Sequence, residues 1–185
     1  MSFLVHPGVA LHPGPHYTAE GSNFSFPACH VTGDPTPVVT WRKSSGHLPQ
    51  GRVQNNNTAL QIADVRKSDS DTYFCSAVNL AGSDERKALL VVVALPRFTV
   101  KPSMKVVASL GNNLTLKCSA TGDPEPVISW KRQGAQLPVG RSHVSKEALT
   151  INSVKLEDAG NYTCVATSAG VSSVEHRSQV VIELG

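Results

Sequence analysis

Apolar residues recur at every second position through most of the chain, in short runs broken by Gly, Pro, Asn and Asp. Leu114, Leu116 and Cys118 alternate with Asn113, Thr115 and Lys117. The same alternation picks out Ile128 and Trp130, Leu149 and Ile151, then Tyr162, Cys164 and Ala166, and last Val180, Ile182 and Leu184. A period of two sends neighbouring side chains to opposite faces of an extended strand, so each run predicts a strand with one inward apolar face. No stretch holds a 3.6-residue period for three turns. The pattern predicts an all-β chain whose sheets pack face to face.

The pattern is also written twice. Gly33 to Lys43, GDPTPVVTWRK, returns 89 residues later at Gly122 to Arg132 as GDPEPVISWKR, and 20 of the 49 positions from Cys29 to Ala77 are identical at that offset. In each copy a tryptophan (Trp41, Trp130) follows the first cysteine (Cys29, Cys118) by twelve residues, and a second cysteine (Cys75, Cys164) follows it by 46. Such self-similarity marks a duplicated structural unit. It divides the chain into two domains, 1–94 and 95–185, of a size that buries a thin core and gains from a covalent staple. Leu89 to Val93 reads as the last strand of the first domain and Phe98 to Val100 as the opening of the second. Only Ala94 to Arg97 lies between, and Pro96 stiffens it, which predicts an extended pair. The copies differ where Phe24 and Phe26 alternate but Cys29 falls out of phase. One inserted residue predicts a bulge, at Pro27, which has no N–H for a ladder.

The order Cys, Trp, Leu-x-Ile, Asp-x-x-x-Tyr-x-Cys, present in both copies, resembles the immunoglobulin fold over essentially the whole chain. The cysteine separation is similar to the intermediate set (I-set), common in cell-adhesion molecules, receptor ectodomains and muscle scaffolds. The resemblance implies two tandem immunoglobulin-like β-sandwiches. It implies disulfides Cys29 to Cys75 and Cys118 to Cys164, with Trp41 and Trp130 as core tryptophans against them. It implies tyrosine corners at Tyr73 and Tyr162, and salt bridges Arg52 to Asp69 and Arg141 to Asp158 closing one end of each sandwich.

Composition narrows the function. All four cysteines belong to the repeat, which suits an oxidising compartment, and their spacing is too wide for a zinc site. A formal net charge of +3 with scattered Lys and Arg does not describe a nucleic-acid binder. No run approaches 18 apolar residues, and Met1 to Ala10 lacks the basic start and apolar core of a signal peptide. The chain is therefore read as a piece of a longer protein, anchored, if at all, through parts outside it. No catalytic elbow, phosphate-binding loop or HExxH motif occurs, so the expectation is a non-enzyme without cofactor or metal. His6, His12 and His16, in HPGVALHPGPH, read as an irregular first strand. Ser68 to Asp71, SDSD, lacks the glycine and terminal glutamate of a calcium loop.

The expected task is recognition of protein, self or another cell-surface or secreted protein, through the sheet that carries the tryptophan. Thr40, Arg42, Phe74 and Ser76 project from it in the first domain, and Phe74 is replaced by Thr163 in the second, so the fold does not demand an aromatic there. Four N-x-S/T sequons, at Asn23, Asn56, Asn113 and Asn161, are candidate glycosylation sites of an extracellular ectodomain; Asn161 is the least accessible. A second reading is a matrix or ligand-binding protein using a sulfated polysaccharide such as heparan sulfate, through Arg42, Lys43, Arg97, Lys101, Lys105, Lys131 and Arg132. A third is an intracellular scaffold module of the titin kind, against which the cysteine pairs and the sequons count.

Overall fold

The computed structural model describes residues 3–185. The chain folds as two compact units that meet between Val93 and Ala94. Unit 1 contains β1 (Val5–Ala10), β2 (His16–Ala19), β3 (Phe24–Ser25), β4 (His30–Asp34), β5 (Val38–Lys43), β6 (Val53–Asn56), β7 (Ala59–Ile62), β8 (Asp71–Asn79) and β9 (Gly82–Val93). Unit 2 repeats the series as β10 (Arg97–Val100), β11 (Lys105–Ser109), β12 (Leu114–Lys117), β13 (Ser119–Thr121), β14 (Val127–Arg132), β15 (Ser142–Val144), β16 (Ala148–Ile151), β17 (Gly160–Ser168) and β18 (Ser172–Glu183). In each unit a four-stranded sheet (β2-β9-β8-β5; β11-β18-β17-β14) faces a three-stranded one (β3-β7-β6; β12-β16-β15), and a short ladder ties the first strand to the continuation of the third. Both units are immunoglobulin-like sandwiches.

The inward residues are those the alternation selects. Leu60, Ile62, Tyr73, Cys75, Ala77 and Leu90 are buried in unit 1, and Leu116, Leu149, Ile151, Tyr162, Cys164 and Val180 in unit 2. Cys29 bonds Cys75 and Cys118 bonds Cys164, each with Cα atoms 6.6 Å apart. Trp41 and Trp130 lie directly opposite Cys75 and Cys164 in the ladder, and Phe26 packs on Trp41 at 5.5 Å between ring centres. The indoles differ in one respect: Trp41 Nε1 donates to Asn57 O at 3.0 Å, whereas Trp130 Nε1 is buried without a hydrogen-bond partner among the described residues.

Leu184 corrects the inward series of the last strand. It is 74% exposed, lying beyond the end of β18 at Glu183. The third strand of unit 1 carries the extra residue. Phe24 pairs with Ile62, Phe26 N–H donates to Leu60 O, and Cys29 N–H donates to Thr58 O. Pro27 and Ala28 thus stand together opposite Ala59. Two residues against one is a bulge, and it returns Cys29 to the inner face beside Phe26.

Candidate functional site

The charged residues between β7 and β8, and between β16 and β17, are drawn into structural contacts. Tyr73 Oη donates to Asp69 O at 2.6 Å and Tyr162 Oη to Asp158 O at 2.7 Å. Arg52 donates to Asp69 through Nη1 and Nη2 at 2.8 and 3.0 Å, and Arg141 donates to Asp158 with both distances at 2.7 Å. Each aspartate also accepts a backbone N–H, from Arg66 and Lys155 respectively, at 2.9 and 2.8 Å. Burial works against ionisation of Asp69, but the Arg52 and Arg66 hydrogen bonds outweigh it and hold the carboxyl below its ordinary range. For Asp158 the Arg141 hydrogen bond is the largest influence and acts in the same downward direction, against burial. Burial raises both tyrosine hydroxyls. The tyrosines and aspartates of these clusters are buried, and their contacts tie the loop before the next strand to the sandwich.

The outward face of the four-stranded sheet in unit 1 is built from cross-strand rows. Successive rows read Val38, Val78, Ser83; then Thr40, Ser76, Glu85; then Arg42, Phe74, Lys87; then Thr72, Leu89; and last Val91 beside Tyr17. The Arg42 guanidinium carbon lies 4.0 Å from the centre of the Phe74 ring, and its Nη2 donates to Glu85 at 2.8 Å. Ser76 Oγ also donates to Glu85, closing the cluster. The Ser76 hydrogen bond, and after it that of Arg42, lowers the Glu85 carboxyl below its usual value against its desolvation. Phe74 is therefore half-buried under a cation that is itself pinned. Thr40 lies beside Ser76 in this face.

Unit 2 presents a different face on the same frame. Phe74 corresponds to Thr163, Val78 to Thr167, Leu89 to Gln179 and Tyr17 to Val107. The middle row becomes Lys131, Thr163, Arg177, where Lys131 pairs with Glu175 at 2.7 Å. The contributions of Tyr17, Val78 and Leu89 are missed from sequence, and for Tyr17 and Leu89 a one-residue shift hides the correspondence. For Tyr17 it is the bulge at Pro27. For Leu89 it is the turn after the eighth strand, closed by Asn79 and Gly82 in unit 1 but by Ser168 and Ser172, one residue further apart, in unit 2.

Within unit 2 the candidate basic residues are spread over separate strands. Lys131 lies on β14 and Lys105 on β11, at opposite edges of one sheet, three strand spacings or about 14 Å apart. Arg97 stands on the separate β10–β13 ladder and Lys101 follows it. Lys43 Nζ donates to Ser68 O at 2.8 Å, while Arg132 donates to the carbonyls of Gln136, Glu157 and Ala159.

Asn23 and Asn113 are exposed and occupy equivalent places. Their Oδ1 atoms accept the N–H of Asp64 and Ser153, at 3.1 and 3.0 Å, both of which have a φ of 48°. Asn56 is exposed at the end of β6. Asn161 is half-buried, its Nδ2 donates to Gln133 Oε1 at 3.0 Å, and its sequon hydroxyl belongs to the buried Thr163. Among the histidines, His16 bonds to His12 O at 3.0 Å and His6 to Pro7 O at 2.8 Å. Among the described residues no group of three metal-binding side chains converges.

Residues 7–92 match the immunoglobulin I-set domain family and residues 96–168 the immunoglobulin domain family. The chain is 39% identical over 153 residues to the basement membrane-specific heparan sulfate proteoglycan core protein of Mus musculus, covering 83% of this chain and 4% of that protein. It is 40% identical over 147 residues to Roundabout homolog 1 of Homo sapiens, covering 74% of this chain and 9% of the relative. The chain thus spans under a tenth of either. Among solved structures it is similar to the titin I-band fragment I67-I69, with a TM-score of 0.67 at 28% identity over 98% of this chain and 66% of that one. It is also similar to extracellular domains 3-5 of Drosophila OTK, with a TM-score of 0.66 at 25% identity over 95% of this chain and 62% of that one.

Proposed function

Because the chain belongs to the immunoglobulin superfamily, we propose that it is a non-enzymatic recognition module from the extracellular part of a cell-surface adhesion molecule or receptor. It binds protein through the outward face of the four-stranded sheet of unit 1. One observation carries the choice of face. At matched positions of a duplicated frame, unit 1 has Tyr17, Phe74, Val78 and Leu89 where unit 2 has Val107, Thr163, Thr167 and Gln179. At the last three of these positions the frame tolerates a polar residue, and at the first it does without an aromatic, so folding does not account for the larger apolar side chains of unit 1.

Aromatics and arginine near the centre of a patch are the residue types on which binding energy concentrates. Arg42 lies over Phe74 already ordered by Glu85, so less side-chain freedom is lost on docking. The face carries Arg42 and Lys87 beside Glu85, both signs together, which lets it match a second copy related by a two-fold axis. The candidate glycan sites of unit 1, Asn23 and Asn56, lie just before β3 and on β6, strands of the opposite sheet.

The test is light scattering across a concentration series, repeated for Phe74→Ala. Truncation should cost about 2 kcal/mol, roughly a 30-fold weaker dimer, with the melting temperature of unit 1 moved by only a few degrees. An unchanged association constant refutes this face, and a mass that stays monomeric at every concentration makes the partner a different protein. The similarity to a titin fragment prompts an intracellular scaffold reading, which predicts reduced cysteines. Both pairs are bridged here, and thiol titration of native material decides the matter.

A further inference from the structure

The replacement of Phe74 by Thr163 does more than remove an aromatic. In unit 1 the ring fills the middle of the row between Arg42 and Lys87. In unit 2 the shorter Thr163 leaves an open groove of about 420 Å³, lined by Lys131, Arg132, Gln133, Thr163, Glu175 and Arg177. Thr163 forms its floor, with Lys131 directly opposite on one neighbouring strand and Arg177 on the other.

The charges in this groove do not cancel. Lys131 is paired with Glu175, but both ends of that pair are more than half exposed, so an incoming anion competes with it at little cost. Arg132 is held by the carbonyls of Gln136, Glu157 and Ala159, neutral acceptors that fix its position and leave its charge in place. Arg177 has no ion pair among the described residues, and the Thr163 hydroxyl has no hydrogen bond among them. Gln133 accepts from Asn161 through Oε1, so its Nε2 remains a donor.

We propose that this groove binds a sulfate ester of a sulfated polysaccharide. Lys131 and Arg177 flank the sulfate, the Thr163 hydroxyl and Gln133 Nε2 donate to it, and Glu175 accepts from a sugar hydroxyl. Glu175 selects the occupant. It repels a bare anion, whereas a sulfated sugar offers hydroxyl donors beside its sulfate. The lining offers no aromatic face on which a nucleic-acid base could stack. This site lies on unit 2 and does not depend on the protein-binding face of unit 1.

The test uses the whole chain produced in an oxidising bacterial periplasm, where Asn161 carries no glycan, and titration with a heparin-derived hexasaccharide at 0.15 M salt. The unmodified chain should bind. Arg177→Ala, which removes no hydrogen bond or ion pair among the described residues, should weaken binding roughly fivefold. Thr163→Phe, which installs the residue found at the same place in unit 1, should fill the groove and weaken it by more than tenfold. A hyaluronan hexasaccharide, with carboxylates and no sulfate, should bind at least fivefold more weakly. The proposal is overturned by no binding, by hyaluronan binding as tightly, by Arg177→Ala staying within twofold, or by a loss that follows Lys105→Ala instead. Self-association, read separately by light scattering, should be untouched by Thr163→Phe.

Discussion

Ser178 is completely buried on β18, opposite Tyr162, and its hydroxyl has no hydrogen-bond partner among the described residues. Its counterpart in unit 1, opposite Tyr73, is Ala88, which is 1% exposed. The duplicated fold therefore supplies its own control for an unsatisfied buried hydroxyl. Leaving such a group unpaired costs about 1–3 kcal/mol, and Ser178→Ala removes it without opening a cavity larger than one oxygen. At the low end, about 1 kcal/mol raises the melting temperature of a domain this small by roughly 4–8 °C. The reciprocal Ala88→Ser should lower that of unit 1 by a similar amount. Scanning calorimetry of the whole chain separates the two units, because each substitution should move one transition and leave the other still. If Ser178→Ala lowers or does not change the stability of unit 2, the hydroxyl is satisfied and the reasoning fails.

Other outcomes follow from the corners, the bridges and the two faces. Asp158→Ala removes the buried carboxylate that accepts from Arg141 and from the Lys155 N–H, and it should lower the stability of unit 2 in urea unfolding even though Arg141 keeps the carbonyls of Asn152 and Ser153. Both corner aspartates titrate below their ordinary range, so the stability they add is fully present above the unfolded carboxylate value near 4. That stability is lost as the pH falls further, through the lower folded values. Melting temperatures from pH 7 to pH 2 should drop in that acid window, and Arg141→Gln should flatten the drop in unit 2. Each disulfide closes a long loop, its cysteines 46 positions apart, and Cys118→Ala with Cys164→Ala should destabilise unit 2 by about 4 kcal/mol, leaving unit 1 unchanged. Phe74→Ala and Thr163→Phe, described above, separate the protein-binding face from the groove.

Tandem duplication explains why so much could be read before any coordinates. Alternation and the repeated Cys, Trp and Asp-x-x-x-Tyr-x-Cys positions are local in sequence, and strand periodicity turns them into an inner face without further information. The bulge at Pro27 was legible for the same reason, since a phase error in one copy shows against the other. Leu184 was not, because burial at the end of a strand depends on whether another segment reaches it.

The sites lie further from the sequence. Arg42 and Phe74 are 32 positions apart, and Arg42 and Glu85 are 43 apart; only the register of β5, β8 and β9 places them in contact. Tyr17 joins the same face through a parallel pairing with β9 that no hairpin announces. Lys131 and Lys105 looked like partners as charges in a string, and the sheet order puts them on opposite edges. Arg177 was passed over, yet it flanks Thr163. The sequence by itself determined two all-β units, their cores and their cysteine positions, because those follow from periodicity and repetition. Tertiary structure alone decided which surface residues are neighbours, because strand register, set by a bulge and one turn length, assigns every outward side chain its row.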